Sequence, residues 1–243
     1  MSGGSDQSVR VLVTGFGPFP GMPYNASTSV AVALEDSPVT PGVDVATAVI
    51  PVVWATARVA ARKAVAGFQP HAVLHFGVSK RSSGFEIETR AFNMSGRKED
   101  QAGMVRRANA LVRAGKPVLN STLPPLELVR ALREDGYPAA LSEDPGRYLC
   151  NAVYYWSLYD GESDGRLVSF VHMPAFGAEA DVQPRLTIEE AVAGARILVR
   201  ASAEAVLRAK QDRLSQRGES IGHGSQTLHR NGRSGCIAGG GDG

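Results

Sequence analysis

Val9-Arg-Val-Leu-Val-Thr14-Gly15 decides the fold. The run is short, β-branched and apolar, and a glycine ends it, so it reads as a buried strand. The loop Gly15-Phe-Gly-Pro-Phe-Pro-Gly21 follows, and Ser27 or Thr28 can cap a helix running to about Glu35. Pro38, Pro41 and Gly42 then break the chain before a second strand-like run at 43–53. An alanine-rich helical stretch occupies 54–68, with Arg58, Arg62 and Lys63 outward, and 72–77 is a third apolar run. Strand, helix, strand, helix, strand in that order predicts an α/β fold: an open, twisted, mainly parallel sheet with helices on both faces, in a single domain.

Further along, 85–93 alternates, with Glu86, Glu88 and Arg90 on one face and Phe85, Ile87 and Ala91 on the other. That pattern predicts a half-buried strand at a sheet edge. Residues 94–116 are polar and rich in Arg, Asn and Gly, and read as a mobile excursion. Pro124 starts a helix to about Leu132, 148–158 is helical with Leu149, Val153 and Trp156 on one side, and 167–171 is another apolar strand. Thr187 introduces a helix to about Lys210, after which the chain becomes glycine-rich and poor in apolar residues. The expected organisation is a flexible N-terminus over 1–7, one α/β domain over 8–214 and a disordered glycine-rich tail over 215–243.

Composition narrows the classes of function. The 243 residues are 43% hydrophobic, enough to bury a substantial core. The 26 basic and 24 acidic residues nearly cancel, leaving +2, so neither nucleic acid nor a membrane surface is indicated as a partner. Only two cysteines occur, Cys150 and Cys236. A disulfide framework is not expected, and with no secretory signal at the N-terminus and no apolar run of membrane-spanning length the expectation is a cytoplasmic protein.

Three glycines after a first strand suggest a dinucleotide fingerprint, and Glu35 stands at a plausible distance for a ribose contact. The spacing is wrong, however, and Pro18 and Pro20 remove N–H groups that a pyrophosphate needs. The loop offers instead two phenyl rings, Phe16 and Phe19, at the carboxyl end of a strand, where ligands bind in open α/β sheets. His71 and His75 bracket the third strand and share a face. No further ligand cluster accompanies them, so they read as core or strand-end histidines and no metal is expected.

Cys150 lies in Asp144-Pro-Gly-Arg-Tyr-Leu-Cys150-Asn151, where Pro145 and Gly146 stop any preceding element and a helix begins. Free N–H groups and the positive dipole end of a first helical turn favour an anion, and the thiolate is the nucleophilic form of a cysteine. Taken by itself the segment also fits a buried structural cysteine. His172 ends a later strand, pinned by Pro174, and Glu88 lies on an earlier one. A nucleophile at a helix start, a strand-end histidine and a carboxylate are the parts of a cysteine hydrolase triad assembled by the fold.

Four blocks carry a resemblance to a known family: Val13-Thr-Gly-Phe-Gly-Pro-Phe19 with Asn25 and Ser27, Glu88-Thr-Arg-Ala-Phe-Asn93, the segment 142–151, and Phe170-Val-His-Met-Pro174. In this order, across roughly residues 9 to 210, they resemble pyroglutamyl peptidase type I, the pyrrolidone-carboxylate peptidases. The resemblance implies a cysteine exopeptidase that removes N-terminal pyroglutamate from peptides, with Cys150 as nucleophile, His172 as general base and then acid, and Glu88 orienting the imidazole. It implies Arg97, after one residue of deletion, at the oxyanion, and Phe16 and Phe19 against the lactam. It implies no cofactor, peptide substrates, and a homodimer or homotetramer.

The chain departs from the family where Gly-Gln-Ala-Gly-Gly-Arg usually follows the third strand. Here Gly77-Val-Ser-Lys-Arg-Ser82 stands, so Val78 replaces a polar side chain beside the expected pocket and two flexible glycines become cationic. Pro145 replaces an alanine, which stiffens the helix start. These changes leave two alternatives: a related amide or lactam hydrolase with altered pocket specificity, or a catalytically idle binding protein on the same scaffold.

Overall fold

The computed structural model describes residues 8–35, 39–106, 110–176 and 180–226, with side chains as far as 216. The N-terminus expected to be flexible (1–7), the break at Pro38 and Cys236 lie outside the described residues. Strands β1 (Val9–Phe16), β2 (Val43–Ile50) and β3 (Ala72–Ser79) alternate with helices α1 (Ala26–Glu35) and α2 (Ala57–Phe68) in the order read from the sequence. Then come β4 (Phe85–Glu88), β5 (Arg90–Phe92), β6 (Val118–Asn120), α3 (Pro125–Glu134), β7 (Ala139–Ser142), α4 (Leu149–Gly161), β8 (Leu167–Pro174) and α5 (Ile188–Gln226).

Six strands form one sheet in the order β2-β1-β3-β8-β4-β7, parallel at every pairing except β4 with β8. β1 is an inner strand, and its alternate residues enter opposite cores. Val11 and Val13 belong to the core with Val30 and Leu34 of α1, Leu132 of α3 and Leu198 of α5, whereas Leu12 belongs to the core with Ala57 and Ala61 of α2 and Val153 of α4. Two buried faces leave no solvent side to the strand, which is why the run is apolar apart from Arg10 and Thr14. Each such side chain contributes about 1.5–3 kcal/mol over leaving it in water. On the second face Arg58 and Arg62 of α2 share Asp160 of α4, at 2.9 and 2.7 Å.

The expected strand over 85–93 is divided. Phe85 and Ile87 pack in one core and Ala91 in the other, so the chain crosses between layers after Glu88. Thr89 makes the crossing: its N–H and hydroxyl both donate to Ser142 O, at 2.7 and 3.0 Å, while its carbonyl accepts from Ser121 N–H at 2.9 Å. β4 therefore lies inside the sheet between β8 and β7, with short β7 at the edge, and β5 pairs with β6 in a separate ribbon.

Residues 94–106 are also tied down where a mobile excursion was expected. Asn151 donates to Met94 O (2.9 Å), Gly96 N–H to Arg147 O (2.6 Å), Tyr148 Oη to Glu99 O (2.9 Å) and Gln101 N–H to Val52 O (2.9 Å). Buried Asp100 accepts the N–H of Trp54 at 2.8 Å. Polar composition here supplies hydrogen bonds to the scaffold rather than solvation.

The chain divides into a compact unit, Met1–Val206, built on the sheet, and a second, Leu207–Gly243. Thr187 and Glu190 exchange N–H bonds in a capping box at the start of α5. That helix continues to Gln226, past the expected end near Lys210 and into the stretch expected to be a disordered tail. Lys210, Gln211, Arg213, Leu214 and Gln216 are good helix formers, and the scattered glycines beyond them outweighed that in the sequence. Residues 227–243 lie outside the described part.

Candidate active site

Strand β1 ends in a loop that its own side chains hold rigid. The Asn25 side chain accepts Ser27 N–H at 3.2 Å and donates to Gly17 O at 3.0 Å, so Asn25 caps α1, not Ser27 or Thr28. The two hydroxyls serve the strand instead: Ser27 Oγ accepts Phe16 N–H (2.9 Å) and Thr28 Oγ1 donates to Phe16 O (2.7 Å). Phe19-Pro-Gly-Met22 closes as a turn with reciprocal backbone bonds, and Gly21 takes the φ of +77° that the turn needs. Phe16 and Phe19 are thereby aimed at a cavity of about 440 Å³ at the carboxyl end of β1, β3 and β8.

Cys150, His172, Phe16, Phe19 and Val78, read from sequence as site residues, all line this cavity. The register explains the meeting. Gly77 of β3 and Glu86 of β4 flank His172 of β8 on its two sides, and Glu88 follows two residues on, facing the same way as Glu86. His172 Nδ1 donates to Glu88 Oε1 at 2.7 Å. Both groups are buried, His172 at 7% exposure and Glu88 at 0%. Tyr154 of α4 donates to Glu88 O at 2.9 Å and fixes the backbone behind the carboxylate.

Cys150 occupies the second position of α4, where its own N–H has no intrahelical partner. Gly146, at φ +76°, turns the chain into that helix. Opposite the sulfur stands Gly77, where a Cβ would lie 3.1 Å from Cys150 Sγ and 2.8 Å from Phe170 Cζ, so glycine is required to leave the thiol its place. Burial by itself lowers the His172 imidazole. Hydrogen bonds with Cys150 and Glu88, and the charges of both, outweigh it and raise the ring to about 10. With Nδ1 engaged by Glu88, Nε2 is the nitrogen left for sulfur, and these partners favour the imidazolium form of the ring.

The two other strand histidines are not part of the site. His71 Nδ1 accepts Arg10 N–H at 3.0 Å, and His75 Nδ1 is hydrogen-bonded to Thr14 Oγ1 at 2.7 Å. Burial, then the charge of Arg166, lowers His75 to about 3, so it is neutral. Glu86, Glu88 and His172 each present a metal-ligand atom within 4.8 Å of the others. Two of the three are already joined by the Glu88–His172 bond, an arrangement that manages a proton.

Arg97 is exposed and does not line the cavity, whereas its neighbour Lys98 does. Hydrogen bonds on both sides of the pair, at Gly96 and Glu99, tether the backbone that presents it. The Lys98 ammonium sits 5.1 Å from the Phe19 ring and 4.8 Å from the Tyr148 ring. Sequence reasoning also passed over Tyr148, whose ring lies 6.0 Å from Phe19 and 5.7 Å from Trp54, and Glu86, which lines the cavity beside His172. Glu86 was legible as the cavity-side partner of Glu88 in an alternating strand; nothing local marked Tyr148.

Over residues 9–207 the chain matches the family described as pyroglutamyl peptidase. It is 32% identical to the pyrrolidone-carboxylate peptidase of Pyrococcus furiosus over 174 residues, covering 68% of this chain and 81% of that one. Pyrrolidone-carboxylate peptidase 1 of Ralstonia nicotianae is 31% identical over 208 residues, covering 83% and 94%. Among solved structures, a mutant pyrrolidone carboxyl peptidase from Pyrococcus furiosus superposes with a TM-score of 0.77 at 27% identity, over 82% of this chain and all of that one. The enzyme from Thermococcus litoralis, at 23% identity, shares the fold with a TM-score of 0.77 over 83% of this chain and 96% of its own.

Proposed function

The chain belongs to the pyroglutamyl peptidase family and is a cysteine peptidase of the pyroglutamyl-peptidase I type; within it, we propose that Cys150, His172 and Glu88 carry out removal of N-terminal pyroglutamate from peptides. The observation that carries the assignment of roles is one imidazole, held at Nδ1 by Glu88 at 2.7 Å and coupled to Cys150 on its other side.

The Cys150 thiolate attacks the carbonyl carbon of the pyroglutamyl residue, and the electron pair moves to the carbonyl oxygen. That oxyanion takes a hydrogen bond from the free Cys150 N–H at the start of α4. Collapse of the tetrahedral intermediate breaks the carbon–nitrogen bond, and the leaving amine takes its proton from the imidazolium. Neutral His172 then draws a proton from water, which attacks the thioester and releases pyroglutamate. The carbon–sulfur bond breaks as the thiolate leaves, and His172, protonated by that water, again faces it as imidazolium. Phe16 and Phe19 provide flat apolar walls for an uncharged lactam, and Val78 closes the third side without demanding a hydrogen bond.

The proposal extends to a cytoplasmic homodimer or homotetramer, since the half-buried free thiol requires a reducing compartment and the family resemblance implies the assembly. Among the described residues no helix is long and apolar enough to cross a membrane. The test is turnover of a chromogenic pyroglutamyl amide against the matching prolyl and glutaminyl amides. Pyroglutamyl amide is the preferred substrate by at least about a hundredfold, and Cys150→Ser abolishes its turnover while far-UV and near-UV circular dichroism stay native. Undiminished turnover in Cys150→Ser refutes the assignment.

A further inference from the structure

The substitution of Lys80 and Arg81 for the family's glycines has no part in the chemistry above, yet both residues line the cavity. The lining divides by exposure. Its inner wall is buried: Phe16 and Met22 at 2%, Leu149 at 1%, and His172 at 7%. Its outer rim is exposed and carries Lys80, Arg81 and Lys98.

We propose that this cationic rim selects pyroglutamyl peptides bearing an acidic residue, or a free terminal carboxylate, directly after the scissile bond. The inference rests on the pyroglutamyl peptidase reading of the site. An enzyme that removes one residue has a single-residue acyl side, which the buried inner wall accommodates beside Cys150. The leaving peptide then has to run outward over the rim, and at about 3.3–3.6 Å per residue its first one or two side chains pass the three cations.

These cations are free to act on a ligand. Among the described residues no carboxylate lies within ion-pairing distance of Lys80, Arg81 or Lys98. Of the three acids lining the cavity, Glu86 stands inward beside His172 and Asp144 is engaged by Arg147 and by Gly146 N–H, which leaves Asp181 on the exposed rim with Lys80, Arg81 and Lys98. The backbone that presents Lys80 and Arg81 is fixed: Asp181 N–H donates to Lys80 O at 2.8 Å, Arg81 N–H to Ser79 Oγ at 3.3 Å, and Ser82 N–H to Ser79 O at 3.3 Å. Lys98 is held by the faces of Phe19 and Tyr148, an interaction that positions its charge without neutralising it. A cleft with one dominant sign at its mouth raises the local concentration of ligands of the opposite sign.

The experiment measures kcat/KM of the full chain on pyroglutamyl-glutamate, pyroglutamyl-alaninamide and pyroglutamyl-lysinamide at low and high salt, with an uncharged pyroglutamyl amide alongside. The expected result is acidic over neutral over basic, by about tenfold between the extremes at low salt, shrinking as salt screens the exposed charges. In the double variant Lys80→Ser/Arg81→Ser the acidic-to-basic ratio within the same protein falls toward one. Equal rates on all three dipeptides, or a preference that survives both salt and the double substitution, overturn the inference while turnover of the uncharged amide leaves the enzyme assignment standing. Loss of turnover on every pyroglutamyl compound refutes the assignment itself and the inference with it.

Discussion

Glu88 has one oxygen on His172 and the other, Oε2, buried without a hydrogen-bond partner among the described atoms. Leaving a buried carboxylate oxygen unpaired is costly, and the positive imidazolium beside it is the compensation. Its contribution can be read from the alkaline side of the pH profile. The imidazolium supplies the proton to the leaving amine, so activity falls as that ring deprotonates, and in the wild type this limb lies near pH 10. Glu88→Gln removes a hydrogen bond and a negative charge that both raise the ring, so the limb moves to lower pH by about one to two units and kcat drops by two or more orders of magnitude. An unchanged limb refutes Glu88 as the partner of His172. Gly77 is a second single-residue test. In Gly77→Ala the new methyl meets Phe170 and Cys150 Sγ, and the Phe170 ring lies 4.8 Å from the His172 ring, so any yielding is passed to the base. A stability loss of about 1–3 kcal/mol in urea unfolding is expected together with a fall in kcat/KM of tenfold or more. Native stability with full activity contradicts the close approach.

At the level of elements, α4 is the piece that must not move, because it carries Cys150, Asn151 and Tyr154 within its first two turns. Asn151, 0% exposed, accepts Phe92 N–H at 2.8 Å and donates to Phe92 O and Met94 O, both at 2.9 Å, joining the helix to β5 and to the segment that ends in Lys98. Asn151→Ala strands a buried N–H and two carbonyls. The expected outcome is a loss of about 2–3 kcal/mol of stability and new proteolytic cleavage within 94–106, where the wild type resists. The elements that sequence alone misplaced are those whose fate is set by such long-range bonds. Periodicity carries 85–92 straight through, and only the bonds of Thr89 to Ser142 and Ser121 divide it into β4 and β5. β7, four residues with two exposed, has too little apolar pattern to be seen. By contrast β1, β3 and α4 were legible because apolar burial on all sides leaves an unmistakable composition.

Across the whole molecule, the sheet places the carboxyl ends of β1, β3 and β8 side by side, and three residues far apart in sequence meet there for that reason. Cys150 and His172 could be picked out individually as a helix-start thiol and a strand-end histidine. That they share a cavity depends on strand order, with β8 inserted between β3 and β4, which no local pattern encodes. The family blocks put forward Cys150, His172 and Glu88 together, whereas which of Arg97 and Lys98 lines the cavity is set by the backbone tethered at Gly96 and Glu99. The central claim is that this assembled site works through a pyroglutamyl thioester on one sulfur. Acid quenching during turnover of a slow pyroglutamyl ester, followed by intact-mass measurement and peptide mapping, reads it directly. The account predicts one pyroglutamyl group added per chain, located on Cys150 and released by hydroxylamine. Turnover with no adduct on Cys150, or with the adduct on another residue, contradicts it.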